Sequence, residues 1–330
     1  MSFTDLRYPI PTHPTWDVID PSKLQCFLDC ERQYFYQYVL GWRQDRMDNH
    51  LHFGTSWHKA MEFLLRNGYD QNSIMGAYLA FEREYRKVFP KDTDYLMNQK
   101  TPANALMALV EYAAKYRADL TNYEVLYTEV GGTAPLYEDL VLHYRIDSIL
   151  RERNTGLIIS LEHKTASSEY MWDLQWPLSI QVNTYTHALY CFFPPEQVKG
   201  VVINGAVFKK TKAPTFAFPR APVYKRPEQL QGWLQHTQLR AKQLQTEFEI
   251  LSGSSDSDPV LDAFPLRPVS CTKFFGCPYH AFCVAWQNPL QHCESVPLGF
   301  VQEWWDPRRD EVSTKVENGK LVEVTHEERS

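Results

Sequence analysis

The sequence predicts an α/β fold with a mixed central sheet, and three observations point to it. Tyr144 to Asp147 and Ile158 to Thr165 are strand-like runs rich in β-branched and aromatic residues, with a turn signal at Arg151 to Gly156 between them. A helical pattern at about Pro177 to Phe193 ends at Pro194-Pro195 and leads into a strand pattern at Gly200 to Phe208. Ahead of both lie several amphipathic stretches of helical period. The resulting order is helix, three strands, helix, strand.

The elements follow from local chemistry. Met1 to about Asp20 is a proline-rich arm. Pro21 to about Leu40 reads as a helix, with Asp20 or Ser22 at its start and Gly41 past its end. Gly54 to about Asn67 is a second helix, stopped by Gly68. Ser73–Val88 and Ala103–Tyr116 are further helices and form a helical insert over about 70–120. Strands follow at about Tyr123–Val130, Glu138–Leu150 and Leu157–Lys164. After the helix and strand named above, Pro227–Leu251 is a long helix, and Ser252 to Asp258 is a Gly/Ser/Asp linker. A single domain is therefore expected over 21–300, with a charged tail at 301–330 expected to be mobile.

Composition bounds the function. An apolar content of 44% and an aromatic content of 14% exclude disorder for most of the chain. No stretch approaches the roughly 18 uncharged apolar residues of a membrane span. The N-terminus lacks the basic-then-apolar order of a secretory signal. Seven unevenly spaced cysteines argue against a secreted disulfide framework, so a cytoplasmic setting, in a bacterial or phage-infected cell, is expected. A net charge of −6 counts against nucleic-acid binding, which depends on neutralising phosphates. Clustered metal-binding acids inflate that count, however, and binding depends on local patches. Lys209, Lys210 and Lys212, with Arg220, Lys225 and Arg226 beyond, form the candidate basic patch.

The chemistry concentrates in the strand pair. Centring the hairpin on Asn154-Thr155 sets Asp147 opposite Glu162, and directly opposed side chains lie roughly 4.5–5.5 Å apart at Cβ, where like charges repel. Two acids so placed call for a cation between them. Lys164 follows Glu162 by two residues and shares its face, while Leu157, Ile159 and Leu161 take the other. Glu129, at the end of the preceding strand, is a candidate additional acid.

The ordered set Gly54-x-x-x-His58, Asp147, Glu162-x-Lys164 and Gln181-x-x-x-Tyr185 resembles the RecB-like branch of the PD-(D/E)XK nuclease superfamily. That branch takes in nuclease domains of recombination helicases, CRISPR-associated exonucleases and many phage exonucleases. Ser22-x-Leu24-x-x-Phe27-x-x-Cys30-x-Arg32-x-Tyr34-Phe35-Tyr36 is similar to the family's first helix, and Cys271-x5-Cys277-Pro278-x4-Cys283 to the C-terminal cysteine cluster of its iron–sulfur members. The resemblance implies a restriction-endonuclease-like αβββαβ core. It also implies Mg²⁺ or Mn²⁺ on Asp147, Glu162, His58 and the main-chain carbonyl of His163. Lys164 would position or deprotonate the attacking water, or offset phosphate charge. Gln181 and Tyr185, one helical turn apart, would contact DNA or the catalytic carboxylates.

Three cysteines at five-residue gaps match neither a zinc knuckle nor a redox pair, and four thiolates hold a [4Fe–4S] cluster. The resemblance supplies Cys30 to complete Cys271, Cys277 and Cys283, with Cys26 one turn away as the alternative and Zn²⁺ as the rival occupant. The spacing calls for a longer loop around Phe274-Phe275-Gly276. Such a staple, joining the N- and C-terminal regions, would close a loop of roughly 240 residues and remove much entropy from the unfolded chain. The expected activity is that of a metal-dependent DNA exonuclease acting on single strands or DNA ends, in recombination, repair, phage or CRISPR-related processing, with a helicase or recombination protein as partner. Tyr34, Tyr36, Trp42 and Trp57 are candidate base-stacking faces, most of them expected in the core. The alternative is a catalytically silent, cluster-stabilised DNA-binding or assembly subunit.

Overall fold

A computed structural model describes residues 3–273 and 276–308, together with the backbone of two short strands at 314–317 and 320–323. Its described residues divide into two units. One draws on the stretches up to Arg46, Thr133–Tyr144 and from Glu228 to 308; the other on Met47–Gly132 and Arg145–Pro227.

The first unit begins with α1 (Pro21–Asp29), capped by Asp20, whose Oδ1 accepts the Lys23 N–H at 2.8 Å. The helix does not run on to Leu40 as the pattern suggests. Cys30 is extended (φ −164°, ψ 116°), and a short α2 (Glu31–Tyr34) and a π-helical turn at Phe35–Val39 follow. The break has a visible cause. Arg32 donates its N–H to the Pro265 carbonyl at 3.2 Å, and its guanidinium reaches the carbonyls of Phe264 (2.8 Å) and Leu261 (2.9 Å). Five-fold donor capacity in a fixed fork suits a set of fixed carbonyls. Gly41 ends the segment at φ +70°, where a Cβ would lie 2.7 Å from the Trp304 ring. The strand β1 (Trp42–Gln44) then begins.

The second unit takes up the chain at α3 (Asn49–Asn67). Asp48 caps it through the N–H groups of His50 and Leu51, so it starts a turn and a half before the expected Gly54. Gly68, at φ +105°, ends it. Next come α4 (Gln71–Tyr85), α5 (Pro102–Lys115) and α6 (Asp119–Asn122). Phe53, Trp57, Leu64, Phe81, Tyr112 and Phe208 anchor the core these helices share with the sheet.

The sheet strands are β2 (Tyr123–Tyr137), β3 (Leu140–Glu152), β4 (Ile158–Ala166), β5 (Val198–Phe208), β6 (Phe216–Ala217) and β7 (Arg220–Val223), with α7 (Ile180–Phe192) between β4 and β5. Their order is β2-β3-β4-β5-β6, with β7 also paired to β5. β3 and β4 are antiparallel, β4 and β5 parallel, and α7 makes the crossover that a parallel pair requires. The mixed sheet is thus the expected one. β2 outruns its expected end at Val130: Gly131 and Gly132 lie inside it, just after Glu129 at φ +53°.

The chain returns to the first unit with α8 (Pro227–Ser252), α9 (His280–Ala285) and β8 (Phe300–Gln302), which pairs with β1. Phe248 of α8 stacks on Phe3 and meets Trp16 and Phe264. The stretch from Thr133 to Tyr144 joins this unit through a bridge from Leu142 to Ile19. β9 (Thr314–Glu317) and β10 (Lys320–Glu323) pair with each other. The rest of the tail beyond 308, and Phe274-Phe275 of the loop expected to be longer, lie outside the described residues.

Candidate active site

The hairpin has the expected register: Ile149 faces Ser160, Leu150 faces Ile159 and Arg151 faces Ile158. Carried on, the same register sets Asp147 opposite Glu162. Side chains take over there. Ser148 Oγ donates to the Leu161 carbonyl at 2.9 Å, and Asp147 Oδ2 accepts the His163 N–H at 2.7 Å. In an antiparallel pair a residue's N–H and C=O point to the same neighbour. The His163 main chain is satisfied in this way, but by side chains: its carbonyl meets His58 Nε2 at 2.8 Å, and His58 Nδ1 lies 3.2 Å from Asp147 Oδ1.

On the other side of Glu162, Lys164 Nζ donates to Glu162 Oε1 at 2.8 Å and to Gln181 Oε1 at 2.9 Å. Gln181 Nε2 donates to Glu162 Oε1 at 3.1 Å and to Tyr185 Oη at 2.7 Å. An ammonium can only donate, which fixes the Gln181 amide with its oxygen toward Lys164. Glu162 Oε2 is left buried without a partner, as is Ser160 Oγ two residues before it on the same face.

The two acids are driven apart in proton affinity. Burial raises Asp147, but His58, His163 and Lys164 outweigh it and hold its carboxyl below the ordinary range. Burial and then the charge of Asp147 push Glu162 up to about 7. Burial would lower His58, yet Asp147 and Glu162 carry it above its ordinary value. For Lys164 too burial is outweighed by Glu162 and Asp147, and its pKa rises. With one nitrogen facing Asp147 and the other the His163 carbonyl, the His58 ring is in surroundings that favour its protonated form.

The donor types present, carboxylates, a carbonyl and one imidazole, suit a divalent cation by their chemistry. Among the described residues no group of three or more His, Cys, Asp and Glu side chains stands ready for a metal ion. The expected ligands instead close on one another, His58 bridging Asp147 and the His163 carbonyl, with Glu162 Oε2 left as the unsatisfied oxygen. Hard oxygens plus one imidazole are ligands for Mg²⁺ or Mn²⁺.

Other residues lie at this site. Glu129 is raised by burial and then by Asp147, and its carboxylate is 3.9 Å from Lys59 and 4.0 Å from Arg145. On the opposite face of β4 from Glu162 and Lys164, Lys100 is buried and donates to Thr165 Oγ1 at 3.0 Å. Arg145 could have been found by strand period, two residues before Asp147; Lys59 and Lys100 carry no local signal.

The expected basic patch divides. Lys209 pairs with Glu169 at 2.6 Å, and Lys210 and Lys212 are exposed on the turn after β5. Arg220 does not join them: its side chain pairs with Asp119 and lies over the Tyr116 ring. Tyr34, Tyr36, Trp42 and Trp57 are all buried and offer no stacking face, because the first-helix and α3 aromatics build the two cores. The exposed apolar side chains near the site are instead Tyr170, Met171, Leu174 and Leu178, in the segment from β4 to α7. Trp172 pins that segment, packed where Gly205 leaves space.

The cysteines are all free thiols. Cys30 and Cys26 are buried, and the Cys277 N–H bonds the Cys271 carbonyl at 2.9 Å. Burial pushes the Cys283 thiol up to about 12, against Arg32, with Cys277, Cys30 and Cys271 adding to the rise. No described helix is long and apolar enough to cross a membrane.

Comparison with known proteins bears on this geometry. A crystal structure of a candidate exonuclease from Eubacterium rectale aligns over 72% of this chain and 82% of its own, at 13% identity and a TM-score of 0.43. A second, SSO0001, aligns over 67% of this chain and 83% of its own, at 12% identity and a TM-score of 0.21. No curated protein matches the chain. A sequence model of the PD-(D/E)XK nuclease superfamily matches residues 19–284, a span that holds every residue of the site above, and the chain belongs to that superfamily.

Proposed function

We propose that this nuclease is a metal-dependent DNA exonuclease of the RecB-like branch, hydrolysing phosphodiester bonds in single strands or at strand ends. The observation that supports the reading is that Asp147, His58 and the His163 main chain bond one another opposite Glu162 in the hairpin register, while Glu162 holds an ammonium on Oε1 and keeps Oε2 buried without a partner. Those four groups would hold Mg²⁺ or Mn²⁺, which when bound acidifies the attacking water and offsets charge building on phosphorus. Gln181 turns Glu162 so that Oε1 takes Lys164 and Oε2 stays free. Lys164, kept protonated by Glu162, orients the water and donates to the developing phosphate charge. Tyr185 holds the Gln181 amide. Lys59, Arg145 and the exposed Lys210 and Lys212 supply cations for the backbone of the DNA.

Cys30, Cys271, Cys277 and Cys283 are proposed to hold a [4Fe–4S] cluster within the first unit. Cys30 is favoured over Cys26 by its place in the first-helix motif Ser22-x-Leu24-x-x-Phe27-x-x-Cys30-x-Arg32. The cluster would then fix the extended break between α1 and α2.

The test is an end-labelled linear single strand incubated with Mn²⁺. The wild type should degrade it and leave circular single strands intact, and Asp147→Ala should degrade neither. Wild-type rates in Asp147→Ala would refute the site, and no cleavage by the wild type would favour the silent binding subunit. Anaerobically purified protein should carry about four iron atoms per chain and Cys283→Ala none; stoichiometric zinc instead would replace the cluster.

A further inference from the structure

The side chain of His163 lies on the face of β4 opposite Glu162 and Lys164, since successive residues of a strand alternate. Its register partner on β5 is Asn204. Asn204 is buried, and each of its polar atoms is engaged: Nδ2 bonds His163 Nδ1 at 2.9 Å and Tyr112 Oη at 2.8 Å, and Oδ1 accepts Arg220 Nε at 2.9 Å. Arg220 is held in turn by Asp119, at 2.9 Å through one oxygen and also through the other, and by Tyr112 Oη at 3.2 Å.

These bonds have a fixed direction. A guanidinium cannot accept, so Arg220 dictates that the Asn204 oxygen faces it and that the Asn204 amide nitrogen faces His163. His163 Nδ1 is then the acceptor, and the proton resides on Nε2. That Nε2–H is buried and unpaired, a costly state for a polar group. The ring is held in place despite that cost.

What the ring holds is the peptide group that meets two metal-site residues. The His163 N–H reaches Asp147 and its C=O reaches His58, where β3 and β4 no longer share a backbone ladder. We propose that Asn204, aligned by Arg220 and Tyr112, is a positioning residue for the metal site: by fixing the His163 side chain on one face of β4 it sets the peptide plane on which Asp147 and His58 are aligned. The inference rests on the metal-site reading above. It adds to that reading a polar layer on the far side of the sheet, three residues deep from His163 to Arg220, through which the ligands are oriented. Groups that orient metal ligands from behind typically affect affinity by about 10–100-fold.

The experiment is Mn²⁺ binding by titration calorimetry on the full chain, purified with its cysteine site loaded and without DNA, so that turnover plays no part. Asp147→Ala should abolish the binding heat. Asn204→Leu, close in volume and without hydrogen bonds, should remain folded and bind Mn²⁺ about 10–100-fold more weakly. Tyr112→Phe removes one of the two partners that align the amide and should show a smaller loss; it decides the matter if Asn204→Leu does not fold. Hydrogen exchange at the His163 amide should quicken in both variants. A merely structural role would lower the melting temperature and leave Mn²⁺ affinity, measured well below the transition, within twofold of wild type. That result, with Asp147→Ala inactive in binding, would overturn the proposal alone. Unchanged Mn²⁺ binding in Asp147→Ala would overturn the metal-site reading and this proposal with it.

Discussion

Glu162→Gln should make the metal-free protein more stable at pH 8 and leave it nearly unchanged at pH 5. Glu162 is 1% exposed, its Oε1 accepts Lys164 and Gln181, and its Oε2 has no partner. Its pKa is raised from 4.5 to about 7, first by burial and then by Asp147. An acid raised in this way holds its proton more tightly when folded. The stability it contributes is complete below its unfolded value and is lost as pH rises through the folded one. The window therefore runs from about 4.5 to about 7. At about 1.4 kcal/mol per unit, ionising Glu162 costs the fold roughly 3 kcal/mol at pH 8. Glutamine keeps the shape and an acceptor for Lys164 without the charge. Urea unfolding of both proteins in EDTA, at pH 5 and pH 8, measures the difference. A variant less stable than wild type at pH 8 would show that the Lys164 pair outweighs burial and would refute the reasoning. Saturating Mn²⁺ should reverse the order, since only the wild type gains from the ion.

The other acid should behave oppositely: Asp147→Asn should cost about 3 kcal/mol in the same unfolding assay, because it breaks a buried pair with His58. Relief of the repulsion between the two acids is expected at Glu162 instead, the acid whose pKa is raised. Lys164→Ala should cut turnover by about 10²–10³-fold with Mn²⁺ affinity retained, and Lys164→Arg should rescue poorly, as a guanidinium is wider than the space between Glu162 and Gln181; stopped-flow cleavage and calorimetry separate the two effects. Gly41→Ala should lose more than about 1 kcal/mol by thermal melting, since a methyl at φ +70° would meet the Trp304 ring.

What was legible in the sequence was what local period encodes. Strand alternation placed Glu162 and Lys164 on one face, the turn at Asn154-Thr155 set the register, and helical spacing put Gln181 one turn from Tyr185. Gly68 marked the C-terminal end of α3 and Pro227 the start of α8. The break at Cys30 was hidden because its cause, the carbonyls of Leu261 and Phe264, lies more than two hundred residues away. The Gly131-Gly132 pair looked like a strand end because glycine weakens isolated strands, yet the neighbouring β3 supplies the ladder that carries β2 through it. Arg220 read as part of a surface patch for want of any local sign of Asp119. His163 was legible only as a carbonyl; the partners of its ring come from β5 and, through Asn204, from α5 and β7.

The guanidinium of Arg32 has a consequence for how this protein is made. Its acceptors at Leu261 and Phe264 leave the ribosome long after it does; at about 5–20 residues per second the wait is on the order of ten to fifty seconds. For most of that interval the amino-terminal aromatics have no partner from α8, and for all of it none from Phe264, and the charge among them must stay in water. Nascent chains are thus exposed to aggregation and to holdase capture until synthesis passes Pro265. A premature stop anywhere before that point yields a polypeptide that cannot close its first unit, whatever the state of its catalytic strands.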